Sequence, residues 1–169
     1  GEYGDAVLSK HPILEKLSYR MPCAATLPGE DRSVCVIKVN IENKDFYVIS
    51  THLDHLSQET NRILQAEELR KIVSNIDGDI IMGGDFNALP SSQTMSIVGS
   101  YMTLGCRGGC DNTFPASNPN RTIDYIMYSP IENFAVRSYN AVTRPDQTID
   151  GVDASDHLPV VATLRIRTE

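Results

Sequence analysis

The sequence lacks the long apolar run that a transmembrane helix would need. The longest apolar stretches of its 169 residues are 34–39 and 46–49, and Lys38 interrupts the first. A helix that crosses a bilayer needs about 20 apolar residues, so no membrane span is predicted. A basic end followed by an apolar core, the pattern of a signal peptide, is also missing from the start of the sequence. Export is not excluded, and the sequence leaves the compartment open.

Basic residues are few as well, with 15 Lys and Arg against 22 Asp and Glu and a net charge of −7. This excess of negative charge argues against nonspecific binding of nucleic acid or membrane through a basic surface. It does not exclude an enzyme that approaches phosphate through a bound metal ion. The hydrophobic share of 41% and the charged share of 22% are typical of a folded domain.

Four cysteines are too few for a disulfide framework in a chain of this size. Cys106 and Cys110 lie in a glycine-rich loop and could close a small disulfide, while their spacing indicates zinc only weakly. Cys23 and Cys35 flank a predicted hairpin turn at 27–32 and could face each other across it. Four free and mostly buried thiols are the alternative.

The apolar pattern predicts mostly short strands and one strong helix. The predicted strands are residues 6–8, 34–41, 45–51, 79–82, 123–128, 134–142 and 158–166. Apolar residues spaced by three and four between positions 66 and 76 predict the helix, with Ser57 as its N-cap and Gly78 as its C-terminal stop. A weaker helix is predicted at 92–98. These elements indicate an α/β or α+β domain built on stacked sheets.

One acidic and one amide side chain follow the predicted strand 79–82 in the segment Gly-Gly-Asp-Phe-Asn. In an extended chain, residues two apart point the same way, so Asp85 and Asn87 are expected to face one pocket while Phe86 turns into the core. A carboxylate and an amide oxygen side by side suit Mg²⁺ or an attacking water. A structural Asp/Asn turn is the alternative.

Asp156 and His157 are neighbours in an extended segment, so they should diverge and serve different partners rather than form a triad with Ser155. Asp156 could bind metal, and His157 could contact a phosphoryl oxygen. Asp124, within an apolar strand, is costly to bury unless paired, and it is the candidate to orient His157. A structural pair of Asp124 with Arg121 is the alternative, as is a solvated turn at 155–157.

His52 follows a predicted strand and could act as an acid or as a phosphate contact. His55 lies three residues later, which resembles part of a zinc site, but a third ligand and a general base have no clear source. We therefore interpret His55 as a structural residue.

In this order the motifs resemble the endonuclease/exonuclease/phosphatase superfamily, which has the deoxyribonuclease-I-like fold. The match comprises a His at a strand end, Gly-Asp-Phe-Asn-Ala, Ile-Asp-Tyr-Ile and Ser-Asp-His-Leu-Pro-Val. The stretch from Tyr3 to Ile13 also looks like the middle of such domains. The resemblance implies an α/β four-layer sandwich of two packed mixed β-sheets flanked by helices. It also implies hydrolysis of a phosphodiester or phosphomonoester with Mg²⁺ or Mn²⁺.

By this resemblance, Asp85 would activate a water and Asn87 would hold that water or a phosphate oxygen. The predicted catalytic residues are His52, Asp85, Asn87, Asp124 and His157, and the predicted metal ligands are Asp85, Asn87 and Asp156. The substrate stays open among nucleic acid, phospholipid and sugar phosphate.

The resemblance further implies that such domains begin upstream of this sequence, with a strand that carries an Asn and then a metal-binding Glu. Glu2 is the one Glu before residue 15, and no strand precedes it. Residues 1–169 are therefore expected to be the C-terminal portion of a single domain, with a missing N-terminal segment as its partner. An inactive fragment, or a binding module that retains the fold, is the alternative function.

Overall fold

The computed structural model describes residues 4–142, 148–149 and 152–167, so Glu2 and Tyr3 lie outside the described residues. The strands are β1 (Ile13–Arg20), β2 (Ser33–Ile41), β3 (Lys44–His52), β4 (Asp79–Asp85), β5 (Thr103–Leu104), β6 (Asp124–Ser129), β7 (Phe134–Ala141), β8 (Thr148–Ile149), β9 (Val152–Asp153) and β10 (Val160–Ile166). The helices are α1 (Thr60–Ser74), α2 (Gln93–Val98) and a 3₁₀ turn (Ile131–Asn133).

A mixed six-stranded sheet in the order β1-β2-β3-β4-β6-β5 forms the centre of the molecule. Among the described strands only β3 and β4 pair in parallel, and α1 supplies the crossover that parallel neighbours require. Strands β7 and β10 form a second, antiparallel sheet, and β8 and β9 form a short ladder.

The middle of the central sheet is buried on both faces, as the alternation of β2 demonstrates. Val34 and Val36 belong to the cluster that packs against the helices, whereas Ile37 and Val39 belong to the cluster that includes Phe134 of the second sheet. Because successive side chains of a strand point to opposite faces, one strand can feed both clusters. The layers therefore run helices, central sheet, second sheet, and the expected architecture of two packed sheets with helices outside is confirmed. No helix of the described chain is long and apolar enough to cross a membrane.

The first predicted strand was wrong. Residues 6–8 are not in a strand, and the first strand of the described chain is β1, which begins at Ile13 after Pro12. All eight side chains of β1 are exposed, since β1 is an edge strand of the sheet. An edge strand without buried positions shows little alternation between apolar and polar residues, which is why the pattern did not reveal it.

The predicted ends of the strong helix were also wrong. The α1 helix begins at Thr60 after Glu59, not after Ser57, and ends with Asn75 as its C-cap, before Gly78. The carboxylate of Glu59 accepts hydrogen bonds from the backbone and hydroxyl of Thr94. Glu59 thereby joins the starts of α1 and α2, a tertiary contact that local capping rules do not anticipate.

The cysteines are used in two ways. Cys106 and Cys110 are joined by a disulfide with their Cα atoms 5.0 Å apart. Cys23 and Cys35 are free thiols. Cys35 lies opposite Ser18 in the β1–β2 register, and Cys23 lies in the connection between those strands, so the expected facing pair was wrong.

Gly84 allows β3 and β4 to approach closely beside the predicted site residues. It lies opposite Thr51 in the parallel register, and a β-carbon built on it would overlap the Thr51 carbonyl oxygen. Its φ of +156° also disfavours any side chain. Gly83 is different, because its nearest neighbour would be the Tyr125 carbonyl oxygen at an ordinary 3.5 Å.

We expect Gly84→Ala to lower the free energy of unfolding by about 1–3 kcal/mol, the usual cost of overpacking. Urea denaturation of the complete protein measures this loss. Gly83→Ala is the matched control and should stay within about 1 kcal/mol of wild type. Equal stability of the two variants would contradict the close approach at Gly84.

Candidate active site

Strand register brings three of the predicted site residues into one row. His52 lies opposite Asp85 in the β3–β4 pair, and Asp85 lies opposite Asp124 in the β4–β6 pair. Residues paired across a sheet share a face, so the three side chains point to the same side. The row stands where β3 and β4 end and β6 begins, and His157 reaches it from the segment before β10.

The three side chains of this row and the side chain of His157 form a contiguous cluster. Asp85 Oδ2 lies 3.2 Å from His52 Nε2 and 3.8 Å from His157 Nε2. On its other side, His157 Nδ1 donates to Asp124 Oδ2 at 2.9 Å. Asp85 and Asp124 are only 14% and 17% exposed at their side chains. The arrangement therefore holds two carboxylates and two imidazoles in a partly buried cluster.

His52 Nε2 faces two possible partners. Besides Asp85, it lies 3.1 Å from the Asn87 side-chain nitrogen, which also donates to the Leu53 carbonyl oxygen at 3.1 Å. An imidazole nitrogen that carries a proton can donate to the carboxylate, whereas one without a proton can accept from the amide. The position of this proton therefore decides whether His52 is bonded to Asp85 or to Asn87.

Asp85 and Asn87 share one cavity as expected, but through a tight turn rather than a straight strand. The Asn87 backbone N–H donates to Asp85 Oδ1 at 2.7 Å, and Asn87 has a φ of +48°. Phe86 between them is fully buried. The structural Asp/Asn turn and the shared pocket, considered as alternatives, are thus both present.

Asp124 is paired with His157 rather than with Arg121. The Thr113 hydroxyl also donates to Asp124 Oδ2 at 2.5 Å. Burial raises the pKa of Asp124, although the bonds from Thr113 and His157 oppose the rise. Burial disfavours the His157 imidazolium, yet the hydrogen bond and charge of Asp124, with smaller contributions from Asp85 and Asp156, raise the His157 pKa above its ordinary value.

Asp156 and Ser155 lie beside this cluster and outside it. Asp156 is exposed, and its backbone carbonyl accepts from the Ala116 N–H at 2.7 Å. The Ser155 hydroxyl accepts from the His157 backbone N–H, so it does not bond to the imidazole, as the divergence argument expected. Asp156 still lines the same cavity as Asp85 and Asn87, and it stays a predicted metal ligand.

The donor set of the row fits a divalent cation. Asp85, Asp124 and His157 each offer a ligand atom, and these atoms lie within 4.8 Å of one another. Carboxylate oxygens with one imidazole nitrogen suit a divalent ion. Among the described residues His55 does not join this set, because its Nδ1 contacts the Arg32 guanidinium at 3.1 Å. The zinc pair of His52 and His55 is therefore not assembled.

A cavity of about 900 Å³ opens over the cluster. Its lining residues are Glu30, Asp31, Arg32, His52, His55, Asp85, Asn87, Phe114, Arg121, Ile123, Asp156 and His157. The Phe114 ring lies 4.7 Å from the His157 ring. Thr113 and Phe114 were missed as site residues, since a polar loop residue and a lone aromatic carry no chemical signal by themselves. Their position within the Thr-Phe-Pro stretch before Asp124 was the available clue.

Comparison with known proteins assigns the chain to a family. Residues 1–157 match the model of the Endonuclease/Exonuclease/phosphatase family. The chain belongs to this family. Members of the family are hydrolases that act on phosphoester bonds, and they generally depend on divalent metal ions.

Solved structures of the family share the fold. The endonuclease/exonuclease/phosphatase from Bacteroides vulgatus matches with a TM-score of 0.75 and 21% identity over 94% of this chain and 67% of that one. The mannosyl-6-phosphatase of Bacteroides thetaiotaomicron has a TM-score of 0.72 and 20% identity over 92% and 67%. The human Nocturnin catalytic domain with bound sulfate has a TM-score of 0.68 and 21% identity over 92% and 60%. The chain thus spans about two thirds of the length of these family structures.

Asp124→Asn should lower the pKa of His157, because it removes the carboxylate that stabilises the imidazolium while burial continues to oppose the charge. A pH titration of the His157 imidazole by NMR, without metal, measures the change. Asp156→Asn is the matched control and should cause a smaller fall, since Asp156 is the weakest of the contributing charges. An unchanged or higher pKa in Asp124→Asn would contradict the pairing.

Proposed function

We propose that the complete protein is a metal-dependent phosphoesterase that hydrolyses a phosphodiester or phosphomonoester with an activated water. The observation that carries the proposal is the row of His52, Asp85 and Asp124 with His157 bonded to its end. In-line attack on phosphorus needs a base for the water and proton donors around the phosphoryl oxygens. This row brings both kinds of group within a few ångströms of one another.

Asp85 is the candidate base. Its side chain is partly buried, and its Oδ2 is flanked by His52 and His157. A water bound beside this carboxylate would give its proton to Asp85 as its oxygen attacks phosphorus, while the bond from phosphorus to the ester oxygen breaks and the alcohol leaves as the alkoxide or, after protonation, as the alcohol. The Asn87 amide lies at the same end of the cavity and would hold the water or a phosphate oxygen.

His157 is the candidate donor to the phosphoryl group. Because its Nδ1–H is bonded to Asp124, the second proton of a protonated His157 is on Nε2, the nitrogen nearer Asp85, and this is the proton available for substrate. Asp124 thus fixes both the tautomer and the orientation of the ring. Protonated His52 would supply a second donor from the opposite side of Asp85.

We assign Mg²⁺ or Mn²⁺ to Asp85, Asn87 and Asp156, which line one cavity. Asp124 and His157 offer further ligand atoms beside Asp85, but their hydrogen bond to each other makes the first three residues the preferred set. When bound, the cation supplies positive charge to the phosphate oxygens.

We propose that residues 1–169 form one domain together with an N-terminal segment that is its partner. Without that segment the chain by itself could be inactive.

His157→Ala and Asp85→Asn should each lower kcat for phosphoester hydrolysis by about 10²–10⁴-fold, the usual contribution of a general acid or base. Initial rates over a panel of phosphodiesters and phosphomonoesters provide the measurement. His11→Ala is the matched control, since His11 is exposed and outside the cavity lining. Near-wild-type turnover in either site variant would refute the assignment.

Removal of divalent metal with EDTA should abolish turnover, because the cation supplies the positive charge that stabilises the phosphate oxygens as the water attacks. Addition of excess Mg²⁺ or Mn²⁺ should restore the rate. Activity that persists in EDTA at the wild-type level would rule out the metal-dependent mechanism.

A further inference from the structure

The segment that carries Phe114 and Arg121 is hydrogen-bonded to Asp124 of the row. The two residues form an isolated antiparallel bridge, with the Phe114 N–H donating to the Arg121 carbonyl at 3.0 Å. Thr113, directly before Phe114, is bonded through its hydroxyl to Asp124 and through its carbonyl to the Leu158 N–H. The loop therefore has a fixed position relative to the Asp124–His157 pair.

Phe114 makes contacts with both a catalytic imidazole and a guanidinium. Its ring centroid lies 4.7 Å from the His157 ring and 4.7 Å from the Arg121 Cζ. Attraction between a cation and an aromatic face holds such a guanidinium in place. Because Arg121 and His157 both contact the Phe114 ring, they lie close to each other, and both line the cavity above the cluster.

Arg121 differs from the other arginine of this cavity. Arg32 is buried, and its guanidinium pairs with Glu30 at 2.8 Å and contacts His55. Arg121 is exposed and forms no ion pair with any carboxylate among the described residues. Its positive charge is thus not neutralised locally, although the chain as a whole carries −7.

We infer that Arg121, supported by Phe114, forms a subsite for a second phosphate group of the substrate, next to the phosphoester that reacts. The inference rests on the proposed function. The planar guanidinium fork matches phosphate oxygens in a bidentate manner. Among the described residues Arg121 forms no ion pair with Asp85 or Asp124, so we place the group that its guanidinium meets beside the reacting phosphorus rather than on it. Arg121 is therefore a specificity-determining residue that selects substrates carrying two phosphates.

The second phosphate could belong to a neighbouring nucleotide of a polynucleotide or to a bisphosphorylated sugar. Two pairs of compounds separate these sources. One pair is a thymidine dinucleotide with a single phosphodiester and a trinucleotide with two. The other pair is a hexose monophosphate and the corresponding hexose bisphosphate. Within each pair the reacting group is the same, and only the additional phosphate differs.

The experiment compares kcat and KM of the complete protein with Mg²⁺ on both pairs. Arg121→Gln should raise KM about tenfold for the compound with two phosphates in the preferred pair, which corresponds to the loss of one charge-assisted hydrogen bond. The KM of the one-phosphate compound in that pair should stay unchanged. Arg121→Lys should recover part of the preference because it keeps the charge. Arg107→Gln, in the same loop but lining a separate cavity, is the control and should change neither compound.

Binding in EDTA separates the subsite from the proposed activity. The same compounds are titrated without metal while the His157 imidazole is followed by NMR, so that a protein without turnover still reports the affinity. The subsite is supported if a compound with two phosphates binds more tightly than its one-phosphate partner, and if Arg121→Gln removes this difference. The pair that shows the difference, nucleotides or hexose phosphates, identifies where the second phosphate comes from. An equal effect of Arg121→Gln on both members of each pair, or no effect on either pair, overturns it.

Discussion

The register of three adjacent strands is the constraint on which the site depends. A parallel pair and an antiparallel pair place His52 opposite Asp85 and Asp85 opposite Asp124, so the spacing of these candidate site residues follows from the backbone register. A slip of one residue would turn these side chains to the opposite face. The glycine at position 84 permits the close contact with β3 that holds this register beside the site. Packing on both faces of the sheet then resists the slip.

Much of the fold and of the site could be predicted from the sequence. The β-branched runs of β2 and β3 predicted a hairpin, and the spacing of Asp85 and Asn87 predicted that their side chains face one pocket. The rest depends on tertiary contacts. Glu59 bonds to Thr94 of another helix, and Thr113 bonds to Asp124 eleven residues away. Neither contact is encoded in a local period, so the helix start and the support of the His157 pair were not predicted.

The electrostatics of the site account for how an acidic chain could accept an anionic substrate. The carboxylates of the row are partly buried; the His157 imidazole contacts both of them, and the His52 imidazole contacts Asp85. Burial raises the pKa of Asp124, and Asp124 in turn raises the pKa of His157, so the pair favours a protonated imidazole. A divalent cation and the exposed guanidinium of Arg121 would add positive charge within the same cavity. Recognition would then be local, independent of the net charge.

The central claim is that the row around Asp85 is the metal-dependent reaction centre. Anomalous diffraction from crystals of the complete protein grown with Mn²⁺ tests it most directly. The account predicts an anomalous peak at ligand distance, about 2.1 Å, from a carboxylate oxygen of Asp85. A well-occupied Mn²⁺ site elsewhere, with the Asp85 carboxylate left without metal, would contradict the account.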